Sequence, residues 1–403
     1  MKMVRSRKED CCGCTACMHR CPEGAIRMEA DSEGFLYPMI NQNLCTDCGL
    51  CREICPFHTF DHRTGNFKEP KVYAAKHADL SVRNRSASGG AFTALSDAIL
   101  SQGGVIYGAL LDEGLKVRHG KAETPEERDA MRGSKYVQSE LEDIFIDVEK
   151  EARQGRKVLF TGTPCQNAGL AAFLGNEVHP ELFFCDLICH GTPTQMLFHE
   201  FLAHSERVSR DTVVGYIWRS KSLGGHRHIE ETRYKSGKKD HKSFLSQINK
   251  DLFYSHLALR PACYHCHFTK TSRISDVTLA DFWGVEDYMP DFCDGEGISL
   301  VLINSSKGES LFNDARKDME VRESCLQECT PKNSHLLKPT VRPIERDEFW
   351  ADYHSFGFEF ILRKFFGYTF WGRIKKNVLI PVLRKAGLLE TLRALRKRKK
   401  NTQ

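Results

Sequence analysis

No run of about 18 uninterrupted apolar residues occurs in this 403-residue chain, so a membrane-spanning helix is not expected. The first ten residues, Met1 to Asp10, lack the apolar stretch of a secretory signal, which points to a cytoplasmic location. Acids are nearly missing from the far end: from Arg363 onward there are thirteen Lys or Arg and one acid, Glu390, a net of +12. The whole chain is only +5, so residues 1 to 362 carry −7. Because an acidic body and a basic tail cancel in the sum, the net charge is no argument for a nucleic-acid partner. What is abundant is cysteine, at seventeen residues. Without a secretion signal these are not a disulfide scaffold, and a reducing compartment turns them toward metal ligation or redox chemistry. A hydrophobic fraction of 41% and a mean hydropathy of −0.43 describe a soluble chain with real cores, and its length suggests two or three domains.

Three zones emerge along the sequence. Residues 1 to 60 hold nine of the seventeen cysteines in two blocks, the only internal repeat. A polar connector, His62 to Pro70, leads into residues 71 to 336, where strand-like and helical patterns alternate as in an α/β domain. Residues 337 to 403 read as a helical, basic C-terminal region. Within the α/β zone the pattern predicts strands over 72–75, 105–111, 158–161 and 183–188, and helices over 91–100, 141–151 and after Pro164. Residues 216–220 and 228–234 read as antiparallel strands, with a turn at Ser236–Lys239.

The two cysteine blocks share one spacing: Cys11-x2-Cys14-x2-Cys17-x3-Cys21-Pro22 and Cys45-x2-Cys48-x2-Cys51-x3-Cys55-Pro56. In this arrangement three close cysteines wrap one 4Fe-4S cubane and the fourth, before proline, reaches across to the other. The spacing therefore predicts an α+β ferredoxin-type domain with two clusters. One is held by Cys11, Cys14, Cys17 and Cys55, the other by Cys45, Cys48, Cys51 and Cys21. A zinc ribbon is the alternative, but zinc asks for two pairs of ligands rather than two runs of four. Cys12 fits no ligand slot and reads as a bystander.

The later motifs run in order through the α/β zone. They are Ser86-Ala87-Ser88-Gly89-Gly90-Ala91-Phe92, Gly104-Val105-Ile106-Tyr107-Gly108, Arg132-Gly133-Ser134-Lys135-Tyr136-Val137-Gln138, Thr161-Gly162-Thr163-Pro164-Cys165-Gln166, Cys189-His190-Gly191-Thr192-Pro193, Cys263-Tyr264-His265-Cys266 and Asp276 to Gly284. Together they resemble the coenzyme F420 hydrogenase/dehydrogenase beta-subunit family, with one departure, Ala280 where the family has glycine. The resemblance implies an α/β flavin-binding domain holding FAD, a nearby iron–sulfur cluster, and electron transfer between a hydride-type small molecule and iron–sulfur carriers such as ferredoxin or another redox subunit. Relatives also suggest a place in surface-polysaccharide pathways.

The residues agree with parts of this. Ser88-Gly89-Gly90 opens a helix whose free N–H groups suit a phosphate, although serine and glycine also simply cap helices. Gly162, Thr163 and Gln166 follow a buried strand, where ligands of open α/β sheets sit. Lys135 and Gln138 are the catalytic candidates, Lys135 beside a reduced flavin; a solvated lysine is the alternative. The resemblance also implies a core cluster, and Cys165, Cys189, Cys263 and Cys266 are the cysteines in the matched motifs. Half a zinc site with two buried thiols is the competing assignment. His190 and His265 flank these cysteines, where they could tune a cluster's potential or relay protons, although a loop histidine is more often structural.

The expected activity is thus an iron–sulfur flavoprotein oxidoreductase. The alternatives are a non-enzymatic electron-transfer subunit of a larger complex, or a redox sensor with structural clusters. For the tail, apolar residues among the basic ones suggest weak contact with an anionic membrane surface or an acidic partner, against a helix packed on the body.

Overall fold

A computed structural model of the chain describes residues 2–59, 66–175 and 179–369. The N-terminal domain is a small antiparallel sheet, β1 (Lys2–Met3), β2 (Ile26–Ala30) and β3 (Leu36–Ile40), in the order β1-β3-β2. Each cysteine block ends in a one-turn helix, Ala16–His19 or Leu50–Glu53, that carries its third cysteine. The repeat extends to the backbone. Gly13 and Asp47 occupy equivalent positions with φ of 71° and 52°, and Thr15 and Gly49 likewise with 64° and 80°. Both loops therefore take the same left-handed turns, with glycine at a different one of the two positions in each.

The α/β domain is built on β4 (Asn66–His77), β5 (Val105–Leu111), β6 (Val117–Ala122), β7 (Val158–Thr161) and β8 (Leu182–Leu187). An excursion follows, carrying β9 (Val213–Ile217), β10 (Glu231–Tyr234) and β11 (Lys239–Asp240), before β12 (Val277–Asp281), β13 (Ser299–Ser305) and β14 (Met319–Ser324) complete the large sheet. Its order is β14-β4-β13-β12-β8-β7-β5-β6. The central four, β12-β8-β7-β5, are parallel, and the flanking strands are antiparallel. Alternate residues serve opposite faces. Ile106, Leu159 and Phe183 pack under helices Ala91–Leu100 and Ser306–Ala315. Tyr107, Phe160 and Phe184 pack under helices Ile144–Arg153 and Pro164–Leu174, together with Cys14, Ala16 and Phe57 of the N-terminal domain. The cysteine domain thus shares a core with the sheet.

The predicted strands 105–111 and 158–161 and the helix 91–100 are observed with those bounds. The strand predicted over 72–75 is longer, because Asn66 to Lys71 continues its pairing with β13. The two predicted antiparallel strands are observed as β9 and β10, which pair directly though starting and ending a few residues from the predicted bounds, and the predicted turn leads from β10 into β11. Helices Arg346–Phe356 and Phe358–Phe366 do not stand apart. Their Phe349, Trp350, Ile361 and Leu362 form one core with Phe198, Phe201, Tyr216 and Trp218 of the excursion. The expected lipid or partner contact of the tail falls largely on 370–403, outside the described residues. No helix among the described residues is long and apolar enough to cross a membrane.

Candidate functional site

Two cavities mark the N-terminal domain. One, of about 460 Å³ (including its open mouth), is lined by Cys21, Cys45, Cys48 and Cys51. The second, of about 360 Å³, is lined by Cys11, Cys14, Cys17 and Cys55, with Cys12 and Cys51 at its wall. Each block's fourth cysteine, Cys21 or Cys55, lines the cavity of the other block's first three, and Cys51 lines both. Burial and the neighbouring thiols of Cys11, Cys55 and Cys51 push Cys17 far up as a free thiol. Such a crowd of sulfurs is costly unless a metal cluster takes the protons' place. Among the described residues, no three His, Cys, Asp or Glu converge as the ligands of one metal ion do; the cysteines surround open space instead. Cys11 and Cys14 are buried, whereas Cys45 and Cys48 are exposed.

The four later cysteines also come together. Cys165 starts the helix after β7, Cys189 follows β8, and Cys263 and Cys266 belong to the turn at Pro261–His265 and its end. Burial first, then the thiols of Cys263, Cys165 and Cys266, push Cys189 well above the usual thiol range. Cys266 is raised to about 12 by burial and by Cys165 and Cys263. Cys12, expected to be a bystander, links the two regions: it hydrogen-bonds Cys14 and Cys165 and, buried, holds its proton strongly.

Beside this group lies the carboxyl edge of the parallel strands. His119 donates from Nε2 to the Thr161 carbonyl (2.9 Å) and accepts at Nδ1 from Ser139 (2.9 Å). Gln166 donates to the Ser139 hydroxyl (3.0 Å) and accepts from the Thr163 N–H (2.9 Å). Gly162, Thr163 and Gln166 are thereby fixed in one turn. Lys135 donates to the carbonyls of Ala130 (3.1 Å) and Arg132 (2.9 Å), and loss of solvent lowers it to about 7. Gln138 faces the cysteines: its amide donates to the Cys12 carbonyl (3.0 Å) and accepts from Arg260 (3.1 Å).

Ser88 donates to the Ile298 carbonyl (2.9 Å). Gly89 is required by packing, because a Cβ there would lie 2.5 Å from the Ala75 carbonyl oxygen. Gly90, at φ 92°, caps the helix start and would place its own Cβ 3.0 Å from His77. His77 in turn feels the charge of Arg132, whose buried Nη1 has no hydrogen-bond partner among the described residues. The Arg132 cation is nonetheless paired, its Nε lying 2.8 Å from an Asp129 carboxylate oxygen.

Sequence reasoning missed a further network. Asp281, at the end of β12, accepts from Arg219 (2.8 Å) and pairs with His226 (2.9 Å), whose ring stacks on Trp283 at 4.7 Å. Burial opposes ionisation of Asp281, but His226 and Arg219 outweigh it and hold it down to about 2. Lys221 donates to the carbonyls of Arg83, Ser88 and Glu296 and, largely through burial, falls to about 8. Asp281 stood in a quoted motif; Arg219, Lys221 and His226 come from the excursion, and no local pattern marks them. His190 packs between Phe253 and His335, and His265 is exposed.

Residues 10–59 match the 4Fe-4S dicluster domain, so the two cysteine blocks are an iron–sulfur module and not a zinc ribbon. Residues 155–328 match the family described as coenzyme F420 hydrogenase/dehydrogenase, C terminus of the beta subunit. Residues 155–328 thus carry a segment of that family and residues 10–59 a 4Fe-4S dicluster domain, which makes the chain an iron–sulfur electron-transfer protein of this oxidoreductase type. Among solved structures, a chain from the F420-reducing NiFe hydrogenase complex of Methanosarcina barkeri is similar, with 17% identity and a TM-score of 0.47; the match covers 69% of this chain and 90% of that one. No curated protein matches the sequence.

Proposed function

We propose that the chain is a flavin iron–sulfur oxidoreductase that exchanges electrons between its clusters, on the ferredoxin side, and a two-electron hydride donor or acceptor. The observation that carries this reading is a row of thiols running inward from the surface. It starts at exposed Cys45 and Cys48, passes Cys51, which lines both cavities, and reaches Cys12 between Cys14 and Cys165. In this reading Cys165, Cys189, Cys263 and Cys266 hold a third 4Fe-4S cluster. Ser88, Gly89, Gly90, Arg132, Lys135, Gly162, Thr163 and Gln166 would hold FAD. When bound, flavin supplies the exchange between single electrons and a hydride that clusters alone cannot make. Lys135 has no acidic partner among the described residues, and at about 7 its Nζ is able to hold or release a proton near neutral pH.

The second reading, a non-enzymatic subunit wired to a partner's active site, draws on Leu44 and Leu50, exposed apolar side chains beside Cys45, Cys48 and Cys51. Anaerobic reconstitution separates the two. The enzyme reading expects acid-released FAD, about twelve irons per chain against about eight without a core cluster, and reduction of a small acceptor by the isolated chain. Replacing Cys263 and Cys266 by Ser removes about four of those irons and leaves FAD bound. Fully reconstituted protein without flavin overturns the enzyme reading and leaves the subunit. A screen of reduced coenzyme F420 against ferredoxin then decides the donor, and with it whether a surface-polysaccharide pathway is the setting.

A further inference from the structure

Buried arginines in this protein come with carboxylates, with one exception. Arg128 pairs with Asp97, Arg219 with Asp281, Arg273 with Asp186 and Arg346 with Glu33. Arg260, 1% exposed, pairs with no carboxylate among the described residues. Its guanidinium donates to the carbonyls of Cys11 (2.7 Å) and Leu36 (2.9 Å) and to the Gln138 amide oxygen (3.1 Å), and it lies 3.7 Å from the Cys11 sulfur. The rings of Tyr37 and Phe35 pack against it, with centroids at 4.3 and 5.5 Å. These partners are neutral, and an uncompensated buried cation is strongly unfavourable.

The cysteine loop is shaped around this side chain. A Cβ on Gly13 would lie 2.8 Å from an Arg260 terminal nitrogen and 2.9 Å from the guanidinium carbon. Only glycine, at φ 71°, lets the loop between Cys11 and Cys14 close over it. The backbone of Arg260 belongs to the other side of the seam: its N–H donates to Thr192 (3.0 Å) and its carbonyl accepts from Cys263 (2.9 Å).

We infer that Arg260 is the fixed counter-cation of the cluster held by Cys11, Cys14, Cys17 and Cys55, and that it raises that cluster's reduction potential from across the domain seam. A cubane bound by four thiolates is an anion, and each reduction adds one further negative charge. The guanidinium keeps its proton throughout, so an electron from an external reductant enters without proton uptake, and the added charge is stabilised by a cation already in place. Arg260 is a positioning residue in this account. The inference rests on the dicluster domain and is independent of FAD and of the core cluster.

The test is a dithionite titration of the reconstituted full chain, followed by electron paramagnetic resonance. The Cys45–Cys48–Cys51–Cys21 cluster in the same molecule serves as internal reference. Arg260→Met is expected to disfavour reduction of the Cys11 cluster at least about tenfold, a shift of about 59 mV for one electron, while the reference stays put. Arg260→Lys keeps the charge but loses the planar fork, and is expected to stay close to wild type. A merely structural arginine would give the same potential in all three proteins, or the same loss in both variants; either result overturns the inference. Arg260→His provides a second variant if the Met protein does not load iron. Its Cys11 cluster is expected to become harder to reduce as pH rises through the imidazole range, and a flat profile there also overturns the proposal. Iron content and flavin, measured in parallel, report separately on the core cluster and the enzyme reading.

Discussion

Gly169 stands directly against Cys14: a Cβ on Gly169 would lie 2.5 Å from the Cys14 Cβ and 2.9 Å from its sulfur. This glycine, in helix Pro164–Leu174, is where the α/β domain receives the cysteine domain. Gly169→Ala overpacks a contact that has no flexible end to yield, and is expected to cost about 1–3 kcal/mol. The iron held at the Cys11 cage should become labile at the same time. Chemical denaturation and iron counting check this, and an unchanged midpoint with full iron content would contradict it.

His119 gives a pH prediction with a definite sign. Burial lowers the folded-state value from 6.5 to about 4. Between those values the unfolded chain binds a proton that the folded chain refuses, so stability rises with pH there. The contribution is fully present above about 6.5 and lost as pH falls to about 4, roughly 3 kcal/mol in all. His119→Asn should flatten the difference curve over that window, as read from urea midpoints at stepped pH.

Lys135 acts in a different window. Burial lowers it from 10.5 to about 7, so the unfolded chain binds the extra proton between those values. Stability of the flavin-free protein is therefore expected to rise from pH 7 toward 10.5, and Lys135→Met should remove that rise. If FAD is bound as proposed, Arg132→Gln is expected to weaken its retention, because it deletes a cation whose Nη1 is left without a hydrogen-bond partner among the described residues. Equilibrium dialysis of flavin against wild type and variant decides this.

Exposure separates the two N-terminal clusters. With Cys45 and Cys48 exposed and Cys11 and Cys14 buried, a chelator should strip iron in two phases, the first of about four irons. Cys48→Ser should abolish the fast phase alone. A single phase in wild type would contradict the difference in access.

Local pattern carried the cysteine cages and the central strands into view. The two blocks lie at fixed short spacing, and Val105–Leu111 and Val158–Thr161 are apolar runs bounded by glycine. Cys165, Cys189, Cys263 and Cys266 were readable only through a family resemblance, because strand order, not sequence distance, brings them together. Arg260, Gly169 and Cys12 were out of reach for a different reason. Each looks ordinary among its neighbours, and its role is set by a partner in another domain: Cys11, Cys14 and Cys165 respectively. The network of Arg219, His226 and Asp281 is also long-range, since two of its members come from the excursion between β8 and β12.

The closure of helix Pro164–Leu174 over Cys14 also orders events in time. The cysteine loops leave the ribosome before that helix is made, since synthesis runs from the N-terminus. Once Gly169 has seated against Cys14, that wall of the inner cage is shut to the delivery of iron and sulfide. Loading of the inner cluster is therefore expected to be slower in the folded chain than loading of the outer one, where Cys45 and Cys48 remain exposed.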